Sequence, residues 1–165
     1  MKKEQSNIAY IDAANLYNGI VSQKWKLDYK RFRIWLSEKY GVKLAYLFIG
    51  LVPKNKNLYT KLQEDGYTLV YKEVIYDGAG KPKGNCDADM VLSATRDYYE
   101  NKFGKAVIVT SDGDYASLIK FLNDGGKLET VLSPAVEKKC SILIKRTGVP
   151  ITYLNQVKNR LVARP

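Results

Sequence analysis

Ile8-Ala9-Tyr10-Ile11-Asp12-Ala13-Ala14-Asn15 is an apolar run that stops abruptly at a carboxylate and passes straight into a helix-like stretch. A continuous apolar run of this length reads as a strand buried on both faces, the signature of a parallel sheet covered by helices. The same grammar recurs at Val107-Ile-Val-Thr-Ser-Asp112-Gly-Asp114-Tyr115. Outward from these two, strand-like runs at Asn7 to Asp12, Lys43 to Leu51, Thr68 to Ile75, Lys105 to Thr110, Lys127 to Ser133 and Pro150 to Leu154 alternate with helical stripes. The stripes are Phe32, Trp35, Leu36 and Tyr40; Leu58 and Leu62; Val91, Ala94 and Tyr98; Tyr115, Leu118, Ile119 and Leu122; and Val136, Cys140 and Leu143. Strand and helix in strict alternation define an α/β fold. Gly41, Gly66, Gly125 and Gly148 stand where helix C-terminal caps belong.

At 165 residues the chain fits one domain. No repeat or linker divides it, and the reading is one domain over residues 1–154 followed by a peripheral tail, 155–165. The connection Tyr76-Asp-Gly-Ala-Gly-Lys81-Pro-Lys83-Gly-Asn85 is left as a long loop, of a size that is often functional.

Composition excludes a good deal. The chain has no histidine, which removes Ser-His-Asp and Cys-His catalysis and the His-containing zinc sites. Its two cysteines, Cys86 and Cys140, are too sparse for a zinc cluster or disulfide framework and read as thiols of a reducing compartment. The basic start is followed by a strand carrying Asp12, leaving no uninterrupted apolar stretch for a secretion signal. No run approaches the length of a membrane span, so a cytoplasmic location is expected. Any resident metal must be held mainly by oxygens, which favours magnesium or manganese. A net charge of +10, with pI near 9.5, fits a polyanionic partner as well as plain solubility.

In open α/β sheets ligands collect beyond the carboxyl ends of strands, where strand order reverses. Asp12 and Asn15 follow the first strand, and Asp112 and Asp114 follow the fourth, so adjacency of these strands would bring the acids together. Asp87 heads the stripe Val91, Ala94, Tyr98 and points to the same place, whereas Asp89, two positions on, lies about 200° around the helix. Simpler roles exist for several of them. Ser111 to Asp114 matches a capping box, Asp87 and Asp89 suit a helix N-terminus, and Asn15 suits an N-cap. Asp12 has no capping partner at box spacing. Like charges gathered at one edge raise one another's pKa, a conflict that divalent cations resolve, and metal-activated hydrolysis of a phosphodiester needs no histidine. With these acids set aside the remaining surface is more cationic still, and Lys81 and Lys83 precede Asp87 closely enough to grip phosphates. Lys54, Lys56, Lys138 and Lys139 read as solvated helix-end charges.

Ile11-Asp12-Ala-Ala-Asn15-Leu-Tyr17, Lys83-Gly-Asn-Cys-Asp87 and Thr110-Ser-Asp112-Gly-Asp114-Tyr115, in this order, resemble the NYN domain, the LabA-like branch of the PIN-like nucleases. The similarity runs from about Asn7 to Ser133. It implies a Rossmann-like, PIN-type three-layer sandwich with a mostly parallel central sheet, the first and fourth strands adjacent, and metal-dependent ribonuclease activity. The matching acidic-site positions are Asp12, Asn15, Asp87, Asp112 and Asp114, with Asp89 an unmatched extra. The leading expectation is an endoribonuclease using magnesium or manganese, acting on RNA rather than DNA. Asp12, Asp87 and Asp112 would bind metal directly, Asp114 would join the metal site or bind and orient a water, Asp89 is a further candidate metal ligand, and Asn15 would position a ligand or phosphate. The alternative is a catalytically silent nucleic-acid-binding or regulatory module on the same fold.

Overall fold

The computed structural model describes residues 5–83 and 85–165. Six parallel strands form the central sheet, β1 (Asn7–Asp12), β2 (Val42–Leu51), β3 (Thr68–Glu73), β6 (Ala106–Val109), β7 (Leu128–Ser133) and β8 (Ile151–Tyr153), in the spatial order β3-β2-β1-β6-β7-β8. This is the doubly wound arrangement, and its order reverses between β1 and β6. The pair runs in register from Ile8 opposite Ala106 to Ile11 opposite Val109, so the chain leaves both strands at the same edge.

The helices are α1 (Ala13–Ser22), α2 (Tyr29–Tyr40), α3 (Lys56–Glu64), α4 (Asp87–Tyr99), α5 (Ala116–Asp124), α6 (Ile142–Lys145) and α7 (Lys158–Leu161). They divide the core in two. Ala9 and Ile11 of β1 face the cluster containing Leu16, Ile20, Phe32, Trp35 and Leu36 of α1 and α2. Ile8 and Tyr10 face the opposite cluster, which holds Met90 and Ala94 of α4 and Leu118, Ile119 and Leu122 of α5. The period-two alternation of a strand that is apolar on both faces therefore feeds two separate hydrophobic layers.

Four sequence expectations are corrected. The third strand ends at Glu73, and Ile75–Tyr76 (β4) instead pairs antiparallel with Pro82–Lys83 (β5) in a separate hairpin. What read as a Gly-rich loop is this hairpin's turn, in which Asp77 Oδ1 accepts from the N–H groups of Ala79 and Lys81, each at 2.9 Å. The stripe Val136, Cys140, Leu143 is not one helix. A 3-10 turn at Glu137–Lys139 and α6 are separated by extended backbone at Cys140, which leaves Leu143 exposed and buries Ile144.

Gly125 is not the left-handed residue after α5. Gly126 takes that conformation (φ 69°), while Gly125 is small because a Cβ there would strike the ring of Tyr98. Finally, the tail from Asn155 is not peripheral. Leu161 is fully buried, and Leu27 forms an antiparallel bridge with Val162, because Leu154, Val157 and Leu161, spaced three and four apart, all turn toward the same core cluster.

Candidate metal centre

Asp12 closes β1 and is at the same time the N-cap of α1, accepting the Asn15 N–H at 3.2 Å. It thus has the capping partner that box spacing did not reveal, supplied by the backbone three residues on. Asp112 plays the equivalent part after β6, accepting the Asp114 N–H at 2.9 Å. The residue that caps here is Asp112 itself, not Ser111.

The two corners are tied together by Asn15. Its side-chain oxygen accepts from the Ser111 N–H at 2.8 Å and the Ser111 hydroxyl at 3.0 Å. Asn15 therefore lies inside α1 and is no N-cap; it clamps the end of β1 to the loop after β6. Asp87, the first residue of α4, completes the group. One carboxylate oxygen from each of Asp12, Asp87 and Asp112 falls within 4.8 Å of the others.

Asp87 is held from both sides. Tyr115, fully buried, donates its phenol proton to Asp87 Oδ1 at 2.7 Å. Asn85 donates from Nδ2 to Asp87 Oδ2 at 3.2 Å and accepts the Asp87 N–H at 2.7 Å. Neither Tyr115 nor Asn85 had a functional role in the sequence reading. The signal for Asn85 was present as an Asx residue two positions before a helix start; for Tyr115 there was none beyond its following the Asp-Gly-Asp turn. The buried line of α4 is Met90, Ala94 and Asp97 rather than Val91, Ala94 and Tyr98, and Asp87 still heads it. At its far end Asp97 accepts the Tyr10 hydroxyl at 2.7 Å, which anchors the helix to β1.

The remaining predicted residues lie apart from this trio. Asp114 is exposed in the turn after Asp112. Asp89 pairs with Lys72 of β3 at 3.1 Å, as its position across the helix implied. Lys81 and Lys83 are exposed on the hairpin that leads to Asp87.

Electrostatics mark the trio as frustrated without a cation. Burial, followed by the charges of Asp87 and Asp112, pushes the Asp12 carboxyl up to about 6 against the pull of the Asn15 N–H. Burial and the neighbouring Asp12 also hold the Tyr115 phenol well above its ordinary range, so it stays a donor. Cys86 is half-buried, and burial with the charge of Asp12 lifts its thiol to about 11, which keeps it protonated and unreactive. Three carboxylates with no nitrogen or sulfur donor suit a hard divalent cation of the magnesium or manganese kind.

This fold with acids at its switch point defines a doubly wound α/β protein with an acidic site. Residues 8–152 match the NYN domain, and the chain belongs to that family, part of the PIN-like nuclease superfamily, whose nucleases generally depend on divalent metals. It is similar over 99% of its length, and 99% of the other chain, to a crystal structure of a protein of unknown function from Vibrio parahaemolyticus, with a TM-score of 0.78 and 17% identity. That likeness is one of fold. No curated protein matches the chain.

Proposed function

We propose that the protein is a metal-dependent endoribonuclease that hydrolyses RNA phosphodiester bonds at the edge where β1 and β6 end. The observation that carries this reading is the meeting of Asp12, Asp87 and Asp112 within 4.8 Å on three separate elements. These three would hold magnesium or manganese. Such an ion supplies Lewis acidity toward water and the phosphoryl group and offsets charge on the leaving oxygen.

The chain's own residues do the rest. Tyr115 and Asn85 hold the Asp87 carboxylate in place, one oxygen of which lies within 4.8 Å of the other two acids. Asn15, its oxygen committed to Ser111, keeps its amide nitrogen for a phosphate or water. Asp114, exposed beside Asp112, accepts from and orients the attacking water. Lys81 and Lys83 grip the RNA backbone next to the scissile bond, and a surface of net charge +10 draws the polyanion in. Two free thiols fit a cytoplasmic setting, and no helix of the described residues is long and apolar enough to cross a membrane.

The test is cleavage of end-labelled single-stranded RNA beside matched DNA in manganese, magnesium or EDTA, comparing the wild type with Asp12→Asn. Cutting that needs the metal and is lost in the variant is expected. Equal turnover by the two proteins would sink the assignment, and RNA binding without turnover under every metal would leave the silent, regulatory reading in its place.

A further inference from the structure

The segment after β8 builds a groove that shares no residue with the acidic cluster. Leu154 and Leu161 are fully buried, the Asp28 N–H donates to Leu161 O at 2.8 Å, and the Ala163 N–H donates to Lys26 O at 2.9 Å. These bonds pin α7 beside α2. Between them lies a cavity of about 440 Å³ walled by Trp35 and Lys39 on one side and Gln156, Asn159 and Arg160 on the other. A second hollow continues it past Arg160 to Arg164.

The chemistry of this groove is that of an anion site. Lys39, Arg160 and Arg164 are exposed, and none forms an ion pair among the described residues. Glu38 is the acid on the wall, and Arg31 beside it is already engaged with Asp28 at 3.5 Å. Gln156 and Asn159 add amide donors. Trp35, only 7% exposed, forms the floor shared by the two hollows. Unpaired cations and amide side chains converge on one channel.

The groove runs along α2, and its Lys39 end sits at the edge opposite the acids. Tyr40 O accepts from Asn7 Nδ2 at the start of β1, and β2 begins two residues later at Val42, so this end of α2 adjoins the amino ends of the strands. The six residues of β1 separate the two edges by about 20 Å at roughly 3.3 Å per residue.

We propose that this groove holds the phosphodiester backbone of a nucleic-acid strand, as a second contact region for a substrate whose scissile bond lies at the acidic edge. The inference rests on the nucleic-acid reading of that edge, but not on its being catalytic. It makes the affinity for a long strand depend on Lys39 and Arg160, both exposed and outside the core.

The experiment is fluorescence anisotropy with a labelled single-stranded RNA of about 20 nucleotides, in EDTA, across a salt series. The wild type is compared with Lys39→Gln/Arg160→Gln and with the charge-matched control Lys102→Gln/Lys105→Gln, all checked for unchanged thermal unfolding. Loss of two phosphate contacts is expected to weaken binding and to reduce the slope of log K against log salt by about 1.4, at about 0.7 per contact on a single strand, with a much smaller change in the control. Wild-type affinity and slope in the groove variant, or an equal loss in the control, would overturn the proposal. Displacement of the RNA by polyglutamate of the same charge would also overturn it, in favour of an acidic protein partner. The two readings fail separately. Groove-dependent binding without cleavage under any metal removes the nuclease, whereas normal cleavage with unchanged binding in the variant removes the groove.

Discussion

Asp12 serves a fold that would be more stable without its charge. Its carboxyl, ordinarily near 3.8, sits at about 6 because burial and two neighbouring carboxylates oppose ionisation. A folded-state value above the unfolded one means that the native protein binds the proton more tightly. The associated stability is therefore fully present below about pH 4 and is lost as pH rises through 6. Two units correspond to about 3 kcal/mol. Asp12→Asn keeps an oxygen for the Asn15 N–H and removes the charge, so in EDTA at pH 8 the variant is expected to be more stable than the wild type by up to about that amount, the gap closing toward pH 4. Urea unfolding at both pH values checks this, and equal midpoints at pH 8 would contradict it. Adding manganese at pH 8 should raise the wild type's midpoint and leave the variant's in place, since a ligand that binds only the native state stabilises it by mass action.

Among the elements, the turn after β6 and the start of α6 are fitted to each other. The Ser141 N–H donates to Ser111 O at 3.2 Å, and Ser141 Oγ caps α6 by accepting the Leu143 N–H at 3.2 Å. This brings Ser141 against Gly113, the residue between Asp112 and Asp114. A Cβ at Gly113 would run into Ser141 Oγ and approach Leu143 Cδ1 at 3.1 Å. Gly113→Ala should cost about 1–3 kcal/mol, the usual range for overpacking, and shift the Asp112 turn enough to weaken manganese binding. Adding Ser141→Ala removes the worst contact at the expense of a cap. The pair should be more stable than the sum of the single changes, a coupling that a double-mutant cycle measures directly.

Such a contact shows where the sequence could be read and where it could not. Asp12 and Asp112 end uninterrupted apolar runs, so counting strands finds them, and the doubly wound order places them side by side. The role of Gly113 depends on a segment almost thirty positions away that sequence periodicity rendered as a single helix, because Val136, Cys140 and Leu143 keep helical spacing although the chain is extended at Cys140. The buried line of α4 was hidden for a related reason. Asp97 occupies a core position through one hydrogen bond to Tyr10, and a hydropathy pattern reads an aspartate as a surface residue. The Ile75–Lys83 hairpin escaped because two-residue strands carry no period at all.

For the whole molecule, the question is what the last residues contribute. Without a long apolar stripe the segment beyond Asn155 looks dispensable, yet Leu161 is fully buried in the same cluster as Phe32, Trp35 and Leu36. Its backbone bonds hold the loop before α2, through Asp28, whose side chain in turn caps α2 by accepting the Arg31 N–H at 3.0 Å. Leu161→Ala is therefore expected to lower stability by about 2–5 kcal/mol, the range for a buried leucine that leaves a cavity, and to loosen the wall that carries Asn159 and Arg160. The acids lie at the carboxyl edge of the sheet and none of them belongs to the tail, so at temperatures where the variant stays folded its cleavage of a very short RNA should be little changed while its affinity for a 20-nucleotide strand falls. Urea unfolding gives the first quantity, and cleavage and anisotropy measured on one preparation give the others. A variant as stable as the wild type would show that the tail only decorates the surface. One that lost short-substrate cleavage in step with long-strand affinity would show that the two edges of the sheet act as a single site.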